Sequence, residues 1–254
     1  MGDAEKQLPI SIIITALNEE ENIVSTIKNT LTALRDFSIQ GEVVFIDDGS
    51  TDGTGGAVQK AFGDVQNIRT VRHERPHGVG ASFWEGIDHA QGDVVVWVPG
   101  DNEVDLWELL RYFSLLSHVD LVIPFIFNTR ARSFARRTLS SVYRFIINAT
   151  FGTNFNYTNG PILYRRSIVQ KLPYRSASFF FQTDALIRLA KDGFMFAEVP
   201  FIVAKREHGI SKAVSFPSFV KVVKGYVRLV RDIYFHAKVT ATHAADTQTA
   251  KRGM

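Results

Sequence analysis

Five short runs of β-branched and aliphatic residues punctuate the first half of the chain, and each ends in a polar turn followed by apolar residues at helical spacing. PISIIIT at 9–15 is the first; strands are predicted again at 42–46, 67–72, 93–98 and 120–124. Runs this apolar are buried on both faces. Between them, Ile23, Ile27, Leu31 and Leu34, then Leu106, Leu109, Leu110 and Phe113, recur at intervals of three and four, with further helices predicted to about residue 62 and over 81–90. Strand–helix alternation requires crossover connections, hence a mostly parallel sheet with helices on both faces.

From residue 125 the alternation loosens. A basic segment with Arg130, Arg132, Arg136, Arg137 and Arg144 leads into a helix ending near 151. A strand near 160–165, a helix over 183–191 stopped by Gly193, a strand over 195–204 and a helix from about 216 to 236 follow. The expected organisation is a flexible 1–8, one domain over 9–212, an amphipathic helix within 213–238 and a disordered tail over 239–254. In that helix Lys221, Lys224, Arg228 and Arg231 make a basic face, and Phe219, Val223, Tyr226, Val230 and Ile233 an apolar one. Such a helix suits an anionic membrane surface, or its apolar face packs on the domain.

Composition narrows the partners. At 254 residues and 45% hydrophobic the chain can bury one large core. A net charge of +3 is too weak to argue for nucleic acid, and no RNA- or DNA-binding signature is present. There is no cysteine, hence no disulfide or thiolate metal site. The polar opening MGDAEKQLP lacks a signal-peptide apolar core, and no run of about 20 apolar residues occurs. The expectation is a cytoplasmic protein, peripheral at the membrane.

In open parallel sheets ligands bind beyond the carboxyl ends of the strands. Three polar groups follow strands one, two and four: Thr15 to Glu19, Asp47 with Asp48, and Asp101 with Glu103. Each alone reads equally as a surface turn, since Asp, Asn and Gly are the common turn residues; three on one rim favour a site. Asp101 and Glu103 have a structural alternative as caps of the helix that starts near 105.

The segments ITALNEEENI (14–23), VFIDDGSTDGT (44–54), RPHGVGASFWEGIDHAQGD (75–93), the acidic stretch 98–103, ILYRRSIVQKL (162–172), FFQTDALIRLAKDGFMFAEVP (180–200) and REHGISK (206–212) occur in the order and with similar gaps seen in one enzyme family. The chain resembles the inverting family 2 glycosyltransferases, and among them the dolichyl-phosphate (polyprenyl-phosphate) mannose synthases, over roughly residues 9–230. The resemblance implies an α/β, Rossmann-like GT-A domain with a C-terminal amphipathic helix. It further implies transfer of a sugar from a nucleoside diphosphate sugar, GDP- or UDP-linked, to a lipid phosphate at the cytoplasmic membrane face.

Carried over residue by residue, Leu17, Glu19, Asp48 and Gly78 would hold the donor. Asp101 and Glu103 would bind Mg²⁺ or Mn²⁺; Pro99 stands where the family's first metal-binding Asp is expected, and Glu103 where it often has Gln. Arg206, Ser211 and Lys212 would close over the donor phosphates. Gln182 and Asp184 would lie near the acceptor, with Asp184, Asp101 and Arg206 in catalytic roles and Arg130, Arg136 and Arg137 binding the acceptor. The departures cluster on the acceptor side: IPFIFNTR at 123–130 displaces an expected arginine to Arg130, Asn156 stands for an Asp, and Ile162 for an Arg. They leave open a hydroxyl acceptor, and the missing first Asp of the metal motif, at Pro99, leaves open a donor-binding protein without transferase activity.

Overall fold

A computed structural model of the chain describes residues 9–128, 134–202, 216–235 and 245–253. The elements run β1 (Ile10–Ala16), α1 (Ile23–Asp36), β2 (Gly41–Asp47), α2 (Thr54–Phe62), β3 (Ile68–Arg72), α3 (Val79–His89), β4 (Val94–Pro99), α4 (Leu106–Leu110), a 3₁₀ turn (Phe113–Ser117) and β5 (Leu121–Ile126). Then come α5 (Phe134–Phe151), β6 (Leu163–Arg165), α6 (Arg166–Val169), α7 (Phe181–Lys191), β7 (Phe196–Phe201), α8 (Phe216–Phe235) and α9 (Gln248–Lys251).

The seven strands form one sheet in the order β3-β2-β1-β4-β6-β5-β7. All pairings are parallel except those of β6, which runs antiparallel to β4 and β5. Because successive strand residues point to opposite faces, the apolar runs feed two cores. Ile13, Val44, Ile46, Val95 and Ile123 point into a layer covered by α3, α7 and the inner side of α8. Ile12, Ile14, Val43, Phe45, Val96 and Val98 point into the layer under α1 and α4.

Two expectations change. The amphipathic helix α8 buries Leu229, with Val222, Tyr226, Val230 and Ile233 packed beside it, and leaves Phe219 and Val223 exposed. Its inward face is therefore offset from the anticipated stripe, and three stripes share one helix: a core face, a basic face, and an exposed apolar row of Phe219, Val223 and Val227. The tail is also not disordered over its described part. Residues 245–253 contain α9, capped by the Thr247 hydroxyl, and both Thr247 and Thr249 are buried. A polar composition gives no sign of this, because the order comes from the Gln248 and Thr249 N–H groups and the Thr249 hydroxyl donating to a buried carboxylate, Asp120, more than a hundred residues away.

Candidate active site

The carboxyl ends of β1, β2 and β4 lie side by side, as the register Thr15–Ile46 and Thr15–Pro99 requires. Backbone bonds join them: Asp48 N–H donates to Ala16 O (2.8 Å), and Gly100 N–H to Thr15 O (3.0 Å). Two asparagines turn the chain beyond the strands in left-handed conformation, Asn18 at φ 57° and Asn102 at φ 58°. Asn is among the few non-glycine residues that tolerate this, and each is tied down. Asn18 Oδ1 accepts from Thr51 N–H (2.9 Å), and Asn102 Oδ1 from Asn29 Nδ2 (3.0 Å).

The β1 turn and the DDGS turn interlock. Glu19 N–H donates to Thr54 Oγ1 (2.9 Å), and Gly53 N–H to Glu20 Oε2 (2.9 Å). Asp47 caps its own turn by accepting from Ser50 N–H (2.9 Å). Gly49 has φ 76°, and a Cβ there would lie 2.8 Å from Arg75 Cα. Only glycine lets the 73–78 loop come this close.

Asp48 is 4% exposed and organises that loop. Its Oδ1 accepts from His77 N–H (2.8 Å), its Oδ2 from Gly78 N–H (2.9 Å), and Oδ1 also meets His73 Nδ1 (2.7 Å). A carboxylate has about four acceptor positions, so three are used within the protein. The other ring nitrogen of His73 is hydrogen-bonded to Glu85, and its ring stacks on His77 at 4.3 Å. Burial works against the charged imidazolium, but hydrogen bonds to Glu85 and Asp48 outweigh it, and His73 has a raised pKa. The sequence reading missed the Asp48–His73–Glu85 chain. Its only signal was a polar residue just after β3, twelve places before Glu85.

Beyond β4, the cap of α4 is Asp105, which accepts from Trp107 N–H (2.9 Å) and Glu108 N–H (3.2 Å). Asp101 and Glu103 lie in the preceding turn, where Asp101 Oδ1 accepts from Glu103 N–H (3.2 Å). Capping is therefore not their task. No group of three or more His, Cys, Asp or Glu side chains that would hold a metal occurs among the described residues. Two hard-oxygen carboxylates fit a Mg²⁺-like ion nonetheless, since such ions commonly take one or two carboxylates and complete their shell with phosphate oxygens and water.

The acceptor-side residues fall elsewhere. Asp184 and Gln182 are 1% and 3% exposed. Asp184 Oδ1 accepts from Arg188 Nε (2.6 Å), and Arg188 Nη2 reaches Asp232 of α8 (2.9 Å). Burial pushes the Asp184 carboxyl up despite Arg188. Tyr143 of α5 donates to Thr183 Oγ1 (2.8 Å), and burial pushes its pKa up to about 12. Asp184, expected near the acceptor in a catalytic role, is a carboxylate enclosed between α7 and α8 and held by Arg188. Arg137 is half-buried on α5. Arg130, Arg206, Ser211 and Lys212 lie outside the described residues, as does the side chain of Arg136.

A family profile described as "Glycosyl transferase family 2" matches residues 11–173. The chain belongs to glycosyl transferase family 2. Among curated relatives it is 27% identical over 215 residues to an undecaprenyl-phosphate 4-deoxy-4-formamido-L-arabinose transferase of Salmonella choleraesuis (strain SC-B67), covering 84% of this chain and 64% of that protein. It is 25% identical to a dodecaprenyl-phosphate galacturonate synthase of Rhizobium johnstonii, covering 83% and 63%. The chain thus spans less than two thirds of the length of these relatives. Its fold matches that of glucosyl-3-phosphoglycerate synthase from Mycobacterium tuberculosis, solved with Mn²⁺, UDP and glucosyl-3-phosphoglycerate. The TM-score is 0.64 at 20% identity, over 88% of this chain and 80% of that one. The GT-A architecture expected from the sequence is the one observed.

Proposed function

We propose that this family 2 member transfers a sugar, with inversion, from a nucleoside diphosphate sugar to a polyprenyl phosphate at the cytoplasmic membrane face. The observation that carries the reading is the pair Asp101 and Glu103 on the rim beside the β1 and β2 turns, with the cap of α4 assigned to a third acid, Asp105. The names of the Salmonella and Rhizobium relatives, both acting on polyprenyl phosphates, support the acceptor class.

Leu17, Glu19, Asp48 and Gly78 form the nucleoside end, where the remaining acceptor position of Asp48 suits a base N–H or a ribose hydroxyl. Asp101 and Glu103 would hold Mg²⁺ or Mn²⁺, which would supply positive charge to offset the negative charge growing on the leaving nucleoside diphosphate. Arg206, Ser211 and Lys212 contribute phosphate contacts from the REHGISK segment. A phosphate oxygen of the acceptor attacks the anomeric carbon as the bond to the diphosphate oxygen breaks.

The enclosed Asp184 supports a phosphate acceptor over a hydroxyl one. A hydroxyl needs a base, whereas a phosphate monoester with a second pKa near 6 is already largely ionised at pH 7. Arg130, Arg136 and Arg137 remain the proposed acceptor-phosphate contacts. The exposed apolar residues of α5 (Leu139, Val142, Phe145) and α8 (Phe219, Val223, Val227) suit peripheral contact with the bilayer; no described helix is long and apolar enough to cross it.

Radiolabelled UDP- and GDP-sugars with undecaprenyl phosphate and Mn²⁺ test the reading. Lipid-linked label is expected, and Asp101→Asn and Glu103→Gln should each lower kcat/KM on the order of 10²–10³-fold. Nucleotide binding indifferent to EDTA and to Asp101→Asn, with no transfer to the lipid, would overturn it.

A further inference from the structure

The basic face of α8 does not simply meet solvent. It forms one wall of a cavity of about 490 Å³, in which Lys221, Lys224, Arg228 and Arg231 face His77 and Tyr174. Ser176 and Ser178 add hydroxyls to the opposite wall, and among the described residues no carboxylate lines the cavity. Arg231 is paired with Asp232 at 3.5 Å; Lys221, Lys224 and Arg228, with no carboxylate among the described lining residues, repel one another, which disfavours the empty site and favours an anion.

The walls are fixed in place. The Arg228 guanidinium lies over the Tyr174 ring at 4.2 Å. Gly225 sits so close to Phe180 that a Cβ would fall 2.8 Å from the ring. The Arg188–Asp232 pair ties α8 to α7. Opposite, the 176–178 segment is held to the first turn of α3 by Gly80 N–H donating to Ala177 O (3.2 Å). His77 belongs to both regions: its side chain lines the cavity, while its N–H holds Asp48.

We propose that this cavity is a second anion site, distinct from the strand-end rim, which takes a phosphate monoester or diphosphate group. Lysines supply point charges, Arg228 and Arg231 planar forks, and the serines neutral donors, a set matched to phosphate oxygens. None of the cavity residues follows β1, β2 or β4, so the site stands whether or not the donor assignment does.

The test uses the full chain in EDTA, so that a diphosphate held through a metal at the rim does not contribute. Thermal unfolding is followed against pyrophosphate at constant ionic strength, for the wild type, the charge reversal Lys221→Glu/Lys224→Glu, and Lys60→Glu on α2 under the opposite face of the sheet. All three lysines are exposed, so the substitutions leave the core intact. A saturable rise in midpoint is expected for the wild type and Lys60→Glu, and its loss for the double variant. A second arm measures co-sedimentation with phosphatidylcholine vesicles with and without phosphatidic acid. Binding that depends on phosphatidic acid, is competed by pyrophosphate and is lost in the double variant identifies a lipid headgroup as the source. Stabilisation by pyrophosphate without that dependence identifies a soluble phosphate. No response to either probe overturns the site, as does an equal response in the double variant or an equal loss in Lys60→Glu.

Discussion

Asp101 and Asp105 are four residues apart and of the same type, yet the structure gives them different work, and substitution separates them. Asp105→Ala removes a cap that serves two backbone N–H groups and should cost about 1 kcal/mol, read by urea denaturation, with metal-dependent nucleotide binding intact. Asp101→Ala should leave stability within about 0.5 kcal/mol and abolish the Mn²⁺-dependent part of UDP or GDP binding in calorimetry. His73 makes a prediction of opposite pH sense to the usual acid. Its folded pKa is raised above 6.5, so its contribution is complete below that value and is lost as pH rises through the folded one. His73→Phe should therefore cost about 2 kcal/mol near pH 6 and markedly less at pH 9. A cost independent of pH would remove the charged imidazolium from the account. These residues also mark how far the sequence was readable. Strand ends rich in Asp and Asn were visible as a rim because strand periodicity dictates it. Which acid capped the helix, and which carboxylate a histidine held, depended on side-chain geometry across β2, β3 and α3, which no local pattern encodes.

At the level of elements, the β/α order and the boundaries of β1 to β5 followed from apolar runs and helical spacing, since buried parallel strands leave little freedom. β6 was located but its antiparallel direction was not, because three residues carry no directional signal. The α7–α8 junction was legible only as two amphipathic helices; Arg188 between Asp184 and Asp232 gives it chemistry. Arg188→Met leaves a buried carboxylate without its partner and should destabilise by about 3–5 kcal/mol. Adding Asp184→Asn removes the uncompensated charge, so the double variant should recover a large part of that loss. The penalty of Arg188→Met should also shrink on acidification, because burial already holds the Asp184 pKa up and protonation discharges it. Denaturation of the four proteins at two pH values measures both effects. Asp184→Asn alone should retain sugar transfer, whereas a general base would lose it.

Across the whole molecule, the described end of the chain behaves as part of the domain. Asp120, at the start of β5 and fully buried, accepts from the backbone N–H groups of Gln248 (2.6 Å) and Thr249 (3.0 Å) and from the Thr249 hydroxyl, and it pairs with Arg165 Nε at 3.2 Å. Thr249 Oγ1 in turn accepts from Met195 N–H (2.9 Å) just before β7. One carboxylate thus joins β5, β6, the β7 approach and α9, at the edge of the sheet away from the β1–β2 turns. Thr249→Val keeps the shape but removes one donor and one acceptor, and should cost about 1–3 kcal/mol. Asp120→Ala strands Arg165, which is 4% exposed, and should cost about 3–5 kcal/mol. The two substitutions act on one network, so the double variant should fall short of their sum. Hydrogen exchange adds the spatial test: in Thr249→Val the amides of 248–251 should lose protection together with those of β7, while β1 and β2 stay protected. Protection lost only in 248–251 would show α9 as an appendage whose release the sheet does not feel.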